Sequence, residues 1–178
     1  MSNSIEKLKT SSKNLIIDRE FISLFVQKLI QKKKTITCAE SCTGGLLSSL
    51  LVENSGVSVI FKGSIIAYSN EVKMSLLGVN PNTLKKYGAV SKECIKEMLK
   101  GSLKLIDSDI SMAVSGIAGP NGATKEKPVG TIYIGVRNRV GEFIIDRFYF
   151  EGDRRHIQEQ AAFQALKMVL QLEKEIFL

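Results

Sequence analysis

Three short stretches of this chain combine a nucleophile, an amine and glycine-rich backbone, the parts needed to transfer an acyl group to water. The first is Glu40-Ser41-Cys42-Thr43-Gly44-Gly45. It lies between the β-prone TITCA (35–39) and the apolar LLSSLLV, so it reads as a turn from a strand into a helix. A serine there can present its hydroxyl, and the amides of Thr43, Gly44 and Gly45 can hold an oxyanion; the same residues would equally make a plain helix cap. Cys42 is a rival nucleophile, because a thiol at a helix N-terminus has a lowered pKa.

The second stretch is Tyr68-Ser69-Asn70-Glu71-Val72-Lys73. With Asn70 as N-cap, Lys73 falls at N3, inside the positive end of the helix dipole. Dipole and burial both disfavour the ammonium form, and a neutral lysine can take a proton from a serine. The competing reading is a surface lysine on a short helix. The third stretch runs Ser115-Gly116-Ile117-Ala118-Gly119-Pro120, followed by Lys127-Pro128-Val129-Gly130. Small residues after a strand let backbone approach a phosphate or a flat ring, although a plain connecting loop has the same composition. The sole histidine, His156, is the other conceivable base. It falls just past Asp153 at the start of the last helical segment, where a surface or interface role fits better.

The elements that must position these groups alternate. Asp18 caps a helix through about Lys33 with Phe21, Leu24, Phe25 and Leu29 on one stripe. TITCA, SIIAYS (64–69) and ISMAV (110–114) read as strands, and EVKMSLLG, ended by Gly78, as a short helix. Pro81 to Tyr87 is a helical turn, and Ser91 opens a longer helix to about Ile106. TIYIGVR and EFIIDRFYF around Gly141 form a hairpin. Asp153 caps a last helix carrying Ile157, Ala161, Ala165, Met168 and Leu172. Strands alternating with helices, then a hairpin, predict an α/β fold with a mixed sheet covered on both faces. In such sheets the carboxyl ends of the strands form the ligand crevice, and all three stretches fall there. Residues 1–17 read as a flexible basic arm and 18–178 as a single domain.

The 178 residues are 44% hydrophobic and 24% charged, an ordinary globular composition that excludes collagen-like, low-complexity and disordered classes. No apolar run approaches the roughly 18 residues needed to span a bilayer, and the N-terminus has no apolar h-region. Three cysteines fit a reducing cytoplasm better than a disulfide framework, and with one histidine they fit no common zinc pattern. The net charge is +7, but residues 1–34 hold eight Lys/Arg against three acids, leaving only +2 for the rest. With no aromatic residues interleaved in QKKKT, that charge reads as a solvated helix end and not as a nucleic-acid site.

Taken together, AESCTGG, YSNEVK, SGIAGP, KPVG and GDR, in this order and spacing over roughly residues 20–175, resemble the CinA C-terminal domain family, the nicotinamide-nucleotide amidohydrolases. The resemblance implies a three-layer α/β/α fold, commonly dimeric or larger, needing no metal or other cofactor. It implies hydrolysis of the carboxamide of nicotinamide mononucleotide to nicotinate mononucleotide and ammonia, in pyridine-nucleotide salvage. Ser41 would be the nucleophile, Lys73 its base and Tyr68 an assistant. The Ser41–Gly45 turn, Asn70 and the Ser115–Gly119 loop (with Gly116, Ile117 and Ala118) would line the site. Glu40 or Tyr68 would face the pyridinium cation, and Lys127 or Arg154 the phosphate. Two departures bear on affinity: Gln158 stands where family members carry a second arginine after GDR, and the loop NGATKEKPVG has Ala123 and Lys125 in altered positions. A non-catalytic nucleotide-binding module using the same pocket is the alternative reading. A DNA-associated competence factor, suggested only by the family's name and the basic arm, is a third.

Overall fold

The computed structural model describes residues 17–177. The expected arm at 1–17 therefore lies outside the described residues but for Ile17. Helix α1 (Arg19–Gln31) is capped by the Asp18 carboxylate, which accepts from the Phe21 N–H. Strand β1 (Ile36–Glu40) is followed by α2 (Leu46–Val52), a 3₁₀ turn (Val57–Val59) and β2 (Phe61–Ile66). Then come α3 (Asn70–Leu77), α4 (Pro81–Tyr87), α5 (Lys92–Leu105) and β3 (Ile110–Gly116). The hairpin β4 (Thr131–Asn138) and β5 (Phe143–Tyr149) leads into α6 (Arg154–Leu172) and the short α7 (Lys174–Phe177).

The sheet order is β2-β1-β3-β4-β5, parallel among the first three and antiparallel across the hairpin. Alternation along the central strands assigns the helices to two faces. Ile36 and Cys38 of β1 and Ile110, Met112 and Val114 of β3 pack with α1, α2, α6 and α7. Ala39 and Ala113 point the other way, among Leu77 of α3 and Ile95, Met98 and Leu99 of α5. The expected three-layer α/β/α architecture with a mixed sheet is what forms. No helix among the described residues is long and apolar enough to cross a membrane.

Two local expectations are corrected. The second strand is Phe61–Ile66 and not 64–69, because β1 pairs it from Ile36↔Phe61 through Glu40↔Ile66. Lys62-Gly63 is a poor β-former in isolation, and pairing to a buried neighbour overrides it. The cap of α3 is Ser69, whose hydroxyl accepts from the Val72 N–H, and not Asn70, which is the first helical residue. Lys73 thus moves one position deeper into the helix, to N4.

The helix that carries Lys73 is set against α5 by a close backbone approach at Gly101. A Cβ on Gly101 would lie 1.9 Å from the Leu77 carbonyl oxygen and 2.6 Å from its carbon. Alanine would gain up to about 1 kcal/mol of helix propensity. Overlap with a backbone carbonyl cannot be relieved by a rotamer change and costs about 1–3 kcal/mol or more. Gly101→Ala is therefore expected to lower the Tm by several degrees despite the better helix former. An unchanged or raised Tm would show that α3 and α5 slide apart freely.

Candidate active site

Ser41 leaves the carboxyl end of β1 while its N–H still donates to the Val114 carbonyl of β3, at 3.0 Å. The turn behind it is held by Glu40. This carboxylate is fully buried and accepts from the N–H groups of Gly45 (3.0 Å), Leu47 (3.1 Å) and Ser48 (2.9 Å), and from the Ser48 hydroxyl (2.5 Å). Gly45, at φ +100°, is the N-cap of α2 and has no side chain to do this work, so Glu40 supplies the acceptor from across the turn. Glu40 is thus no partner for a substrate cation.

Lys73 is 1% exposed and among the largest side chains buried in the chain. Its Nζ lies 3.0 Å from Ser41 Oγ, 2.7 Å from the Ala67 carbonyl oxygen and 3.2 Å from that of Tyr68. Burial pushes its pKa down from the ordinary lysine value, partly opposed by the Cys94 and Cys42 thiols. A neutral amine has two N–H groups and one lone pair. Nζ thus faces three oxygens; as a neutral amine, the form burial favours, it would give its two N–H groups to the carbonyls and turn its lone pair to the Ser41 hydroxyl proton. Ser41 itself is 8% exposed, at the floor of a cleft of about 230 Å³.

The structure gathers the sequence candidates unevenly. Ser41, Tyr68, Lys73, Ser115, Gly116, Ile117, Ala118, Gly119 and Arg154 all line this cleft. Arg154 donates to the Gly119 carbonyl (2.6 Å) and to the Tyr68 hydroxyl (2.9 Å), and so links two walls of the cleft. Glu40, Thr43, Gly44, Gly45, Asn70 and Lys127 do not line it. The Gly44 N–H donates to the Ser41 carbonyl and that of Gly45 to Glu40, so neither is available as an oxyanion donor. The N–H groups of Cys42 and Thr43 have no acceptor among the described residues. Asn70 is exposed on the outside of α3. Lys127 donates to the carbonyls of Tyr87 (2.9 Å) and Val90 (2.7 Å), so it straps the 115–130 loop to the α4–α5 turn and does not reach toward a phosphate.

The glycines of the loop also serve packing. A Cβ on Gly116 would meet Ile132 at 2.2 Å, and one on Gly119, at φ +79°, would meet Val129 at 2.7 Å. The Ile117 N–H is spent on the Thr131 carbonyl. Cys42 lines the cleft, but burial pushes its thiol up to about 12, and it precedes the α2 N-cap by three residues. The lowered pKa expected of a helix-terminal thiol is reversed. His156 is exposed beside Asp153, its Nδ1 2.9 Å from that carboxylate, and does not line the cleft.

Sequence reasoning missed the Ala89-Val90 wall and Asn121-Gly122. Ala89 is drawn in by the Ser115 hydroxyl, which donates to its carbonyl at 2.9 Å. Nothing local to residues 87–90 signals that contact. Gln158, the departure from the family pattern, donates to the Cys42 carbonyl at 2.8 Å and so ties α6 to the Ser41 turn. No three His, Cys, Asp or Glu side chains among the described residues are placed to hold a metal ion.

The chain was compared with known proteins. The family model described as the CinA C-terminal domain matches residues 18–172. A CinA-like protein of Thermosipho melanesiensis is 47% identical over 164 residues, 92% of this chain and 41% of that protein. One of Endomicrobium trichonymphae is 43% identical over 95% of this chain and 41% of its own length. This chain thus spans about two fifths of those relatives. The crystal structure of competence damage-inducible protein A from Klebsiella pneumoniae is similar with a TM-score of 0.82 and 33% identity, over 87% of this chain and 96% of that one. A CinA-superfamily structure from Escherichia coli gives 0.84 and 29%, over 97% and 99%. With a match running from the cap of α1 to the end of α6 and spanning every residue of the cleft, the chain belongs to the CinA C-terminal domain family.

Proposed function

We propose that the chain is an amidohydrolase converting nicotinamide mononucleotide to nicotinate mononucleotide and ammonia. The observation that carries this reading is the 3.0 Å approach of Lys73 Nζ to Ser41 Oγ, by an amine whose remaining contacts are two backbone carbonyls. Membership of the CinA family supports it, through the resemblance that implies the substrate.

Lys73 accepts the hydroxyl proton as Ser41 Oγ attacks the carboxamide carbon. The negative charge on the former carbonyl oxygen meets the N–H of Cys42, a lining residue whose amide the turn leaves unspent. The lysine returns the proton to the departing amine, the C–N bond breaks, and ammonia leaves an ester on Ser41. Water, deprotonated by the same lysine, attacks that ester and releases the carboxylate. The Tyr68 ring faces the pyridinium. The phosphate is met by the Ala118 and Gly119 N–H groups and by those Arg154 donors not already given to Gly119 and Tyr68.

Ammonia release from nicotinamide mononucleotide by the purified protein is the direct assay. Ser41→Ala is expected to lower kcat by ~10³-fold or more with the fold intact. Cys42→Ala should keep kcat within several-fold, since its thiol is held protonated. A dead Cys42→Ala with an active Ser41→Ala would move the nucleophile to Cys42. Saturable binding with no ammonia from the unaltered chain would make it a binding module.

Lys73 predicts a pH dependence with a definite sign. Its folded pKa lies below the unfolded value, so between the two the unfolded chain binds more protons and stability rises with pH. The lysine's penalty is absent above the unfolded pKa, grows as pH falls from there to the folded pKa, and is complete below it. The kcat limb assigned to the neutral amine rises with pH in the same direction. Lys73→Met should abolish turnover and flatten this part of the stability profile. Lys73→Arg, which cannot deprotonate, should also be inactive. Near wild-type hydrolysis by Lys73→Arg would place the base elsewhere.

A further inference from the structure

At the other end of the sheet a second cleft of about 230 Å³ opens between the C-terminus of α5 and the ends of β3 and β4. Asp107 and Ser108 precede β3, and Arg137 and Arg139 stand where β4 pairs with the start of β3. The seven residues of β3 separate this corner from the Ser41 cleft, about 20 Å at the rise of a strand. Four cations line it, Lys100, Lys104, Arg137 and Arg139, against one acid, Asp107. Arg139 is paired with Asp107 at 2.7 Å and Asp109 at 3.5 Å, and Lys62 stands 3.9 Å from Asp107. Lys100, Lys104 and Arg137 take part in no ion pair among the described residues.

A solvated helix face accounts for two exposed lysines one turn apart, although like charges at that spacing are mildly unfavourable. It does not account for the other two groups. Arg137 is half-buried, with neither an acid nor a carbonyl accepting from its guanidinium among the described residues. Ser108 is 2% exposed, and its hydroxyl has no hydrogen-bond partner in a setting where buried hydroxyls are almost always satisfied. A planar fork of donors and two flexible ammonium groups around one small cleft, with an unpartnered buried hydroxyl on a lining residue, is the donor set that a multi-oxygen anion satisfies.

We propose that this corner binds a small phosphate-bearing anion, with Arg137 gripping the phosphoryl oxygens and Lys100 and Lys104 neutralising their charge. The size of the cleft suits a phosphoryl or diphosphate group, with anything attached to it lying outside. The assignment is independent of the amide chemistry in the Ser41 cleft.

The test is calorimetric titration of the full chain, at fixed ionic strength, with pyrophosphate and separately with a nucleoside diphosphate. One saturable site is expected, weakened at least tenfold in Arg137→Gln/Lys104→Gln and in Lys100→Gln/Lys104→Gln. The second pair changes only exposed helical positions, so it remains informative if loss of Arg137 disturbs folding, which circular dichroism reports. Arg154→Gln, in the other cleft, should bind as tightly as the unaltered chain. Lys32→Gln/Lys33→Gln, which removes the same charge elsewhere, should do so too. Tighter binding of the nucleoside diphosphate would identify a nucleotide as the source of the phosphate, and tighter binding of pyrophosphate the free anion. No saturable binding, binding unchanged in both cleft pairs, or binding lost equally in Arg154→Gln or the charge control would overturn the proposal.

Discussion

The structure turns on an amine removed from water. A lysine 1% exposed, with no ion-pair partner among the described residues, is costly to keep protonated, and those residues offer it two carbonyls and a hydroxyl. Three oxygens would suit the three N–H groups of an ammonium as well as the two N–H groups and lone pair of an amine, and it is burial that favours the amine. Much of the surrounding architecture serves to hold these three partners still. The Ala67 and Tyr68 carbonyls come from the segment leaving β2, where the Ala67 N–H donates to the Glu40 carbonyl. The same few residues therefore fix the amine's donors and the position of the strand end that presents Ser41.

Glu40 is the counterpart of Lys73. Its carboxylate, on the residue before Ser41, makes no ion pair with Lys73 among the described residues. Instead the N-terminus of α2 takes it, with three backbone N–H groups and the Ser48 hydroxyl. The dipole of α2 is thereby satisfied inside the protein. In the proposed reaction the oxyanion is left to the Cys42 amide just after Ser41. A hydrogen bond from Gln158 to the Cys42 carbonyl holds the orientation of that peptide, so α6 reaches the Ser41 turn through it.

Much of this was legible in the sequence because it depends on local chemistry. The strand–turn–helix around Ser41, the Ser91 and Asp153 caps and the Gly78 stop follow from residue types whose conformational preferences are strong. The two faces of the sheet follow from alternation in β1 and β3. What was illegible depends on partners far apart in the chain. Glu40 and Lys127 look like ligand-binding charges until the structure shows backbone groups, five to forty positions away, already using them. Cys42 looks activated until its burial is known. Asn70 and Ser69 are both good caps, and only the backbone chooses between them. Glycines 116 and 119 suggest close approach of a ligand, whereas the close neighbours are Ile132 and Val129.

The account stands on the protonation state of one side chain. Lysine-selective isotope labelling with NMR detection of the Lys73 Cε and Nζ signals, assigned through Lys73→Met and followed across pH, reads that state directly. The account predicts that Lys73 titrates below the ordinary lysine range and is a neutral amine at the pH where the proposed hydrolysis proceeds. A Lys73 signal that stays an ammonium up to the ordinary lysine range would contradict it, and would make the Ser41 contact that of a charged donor with no base behind it.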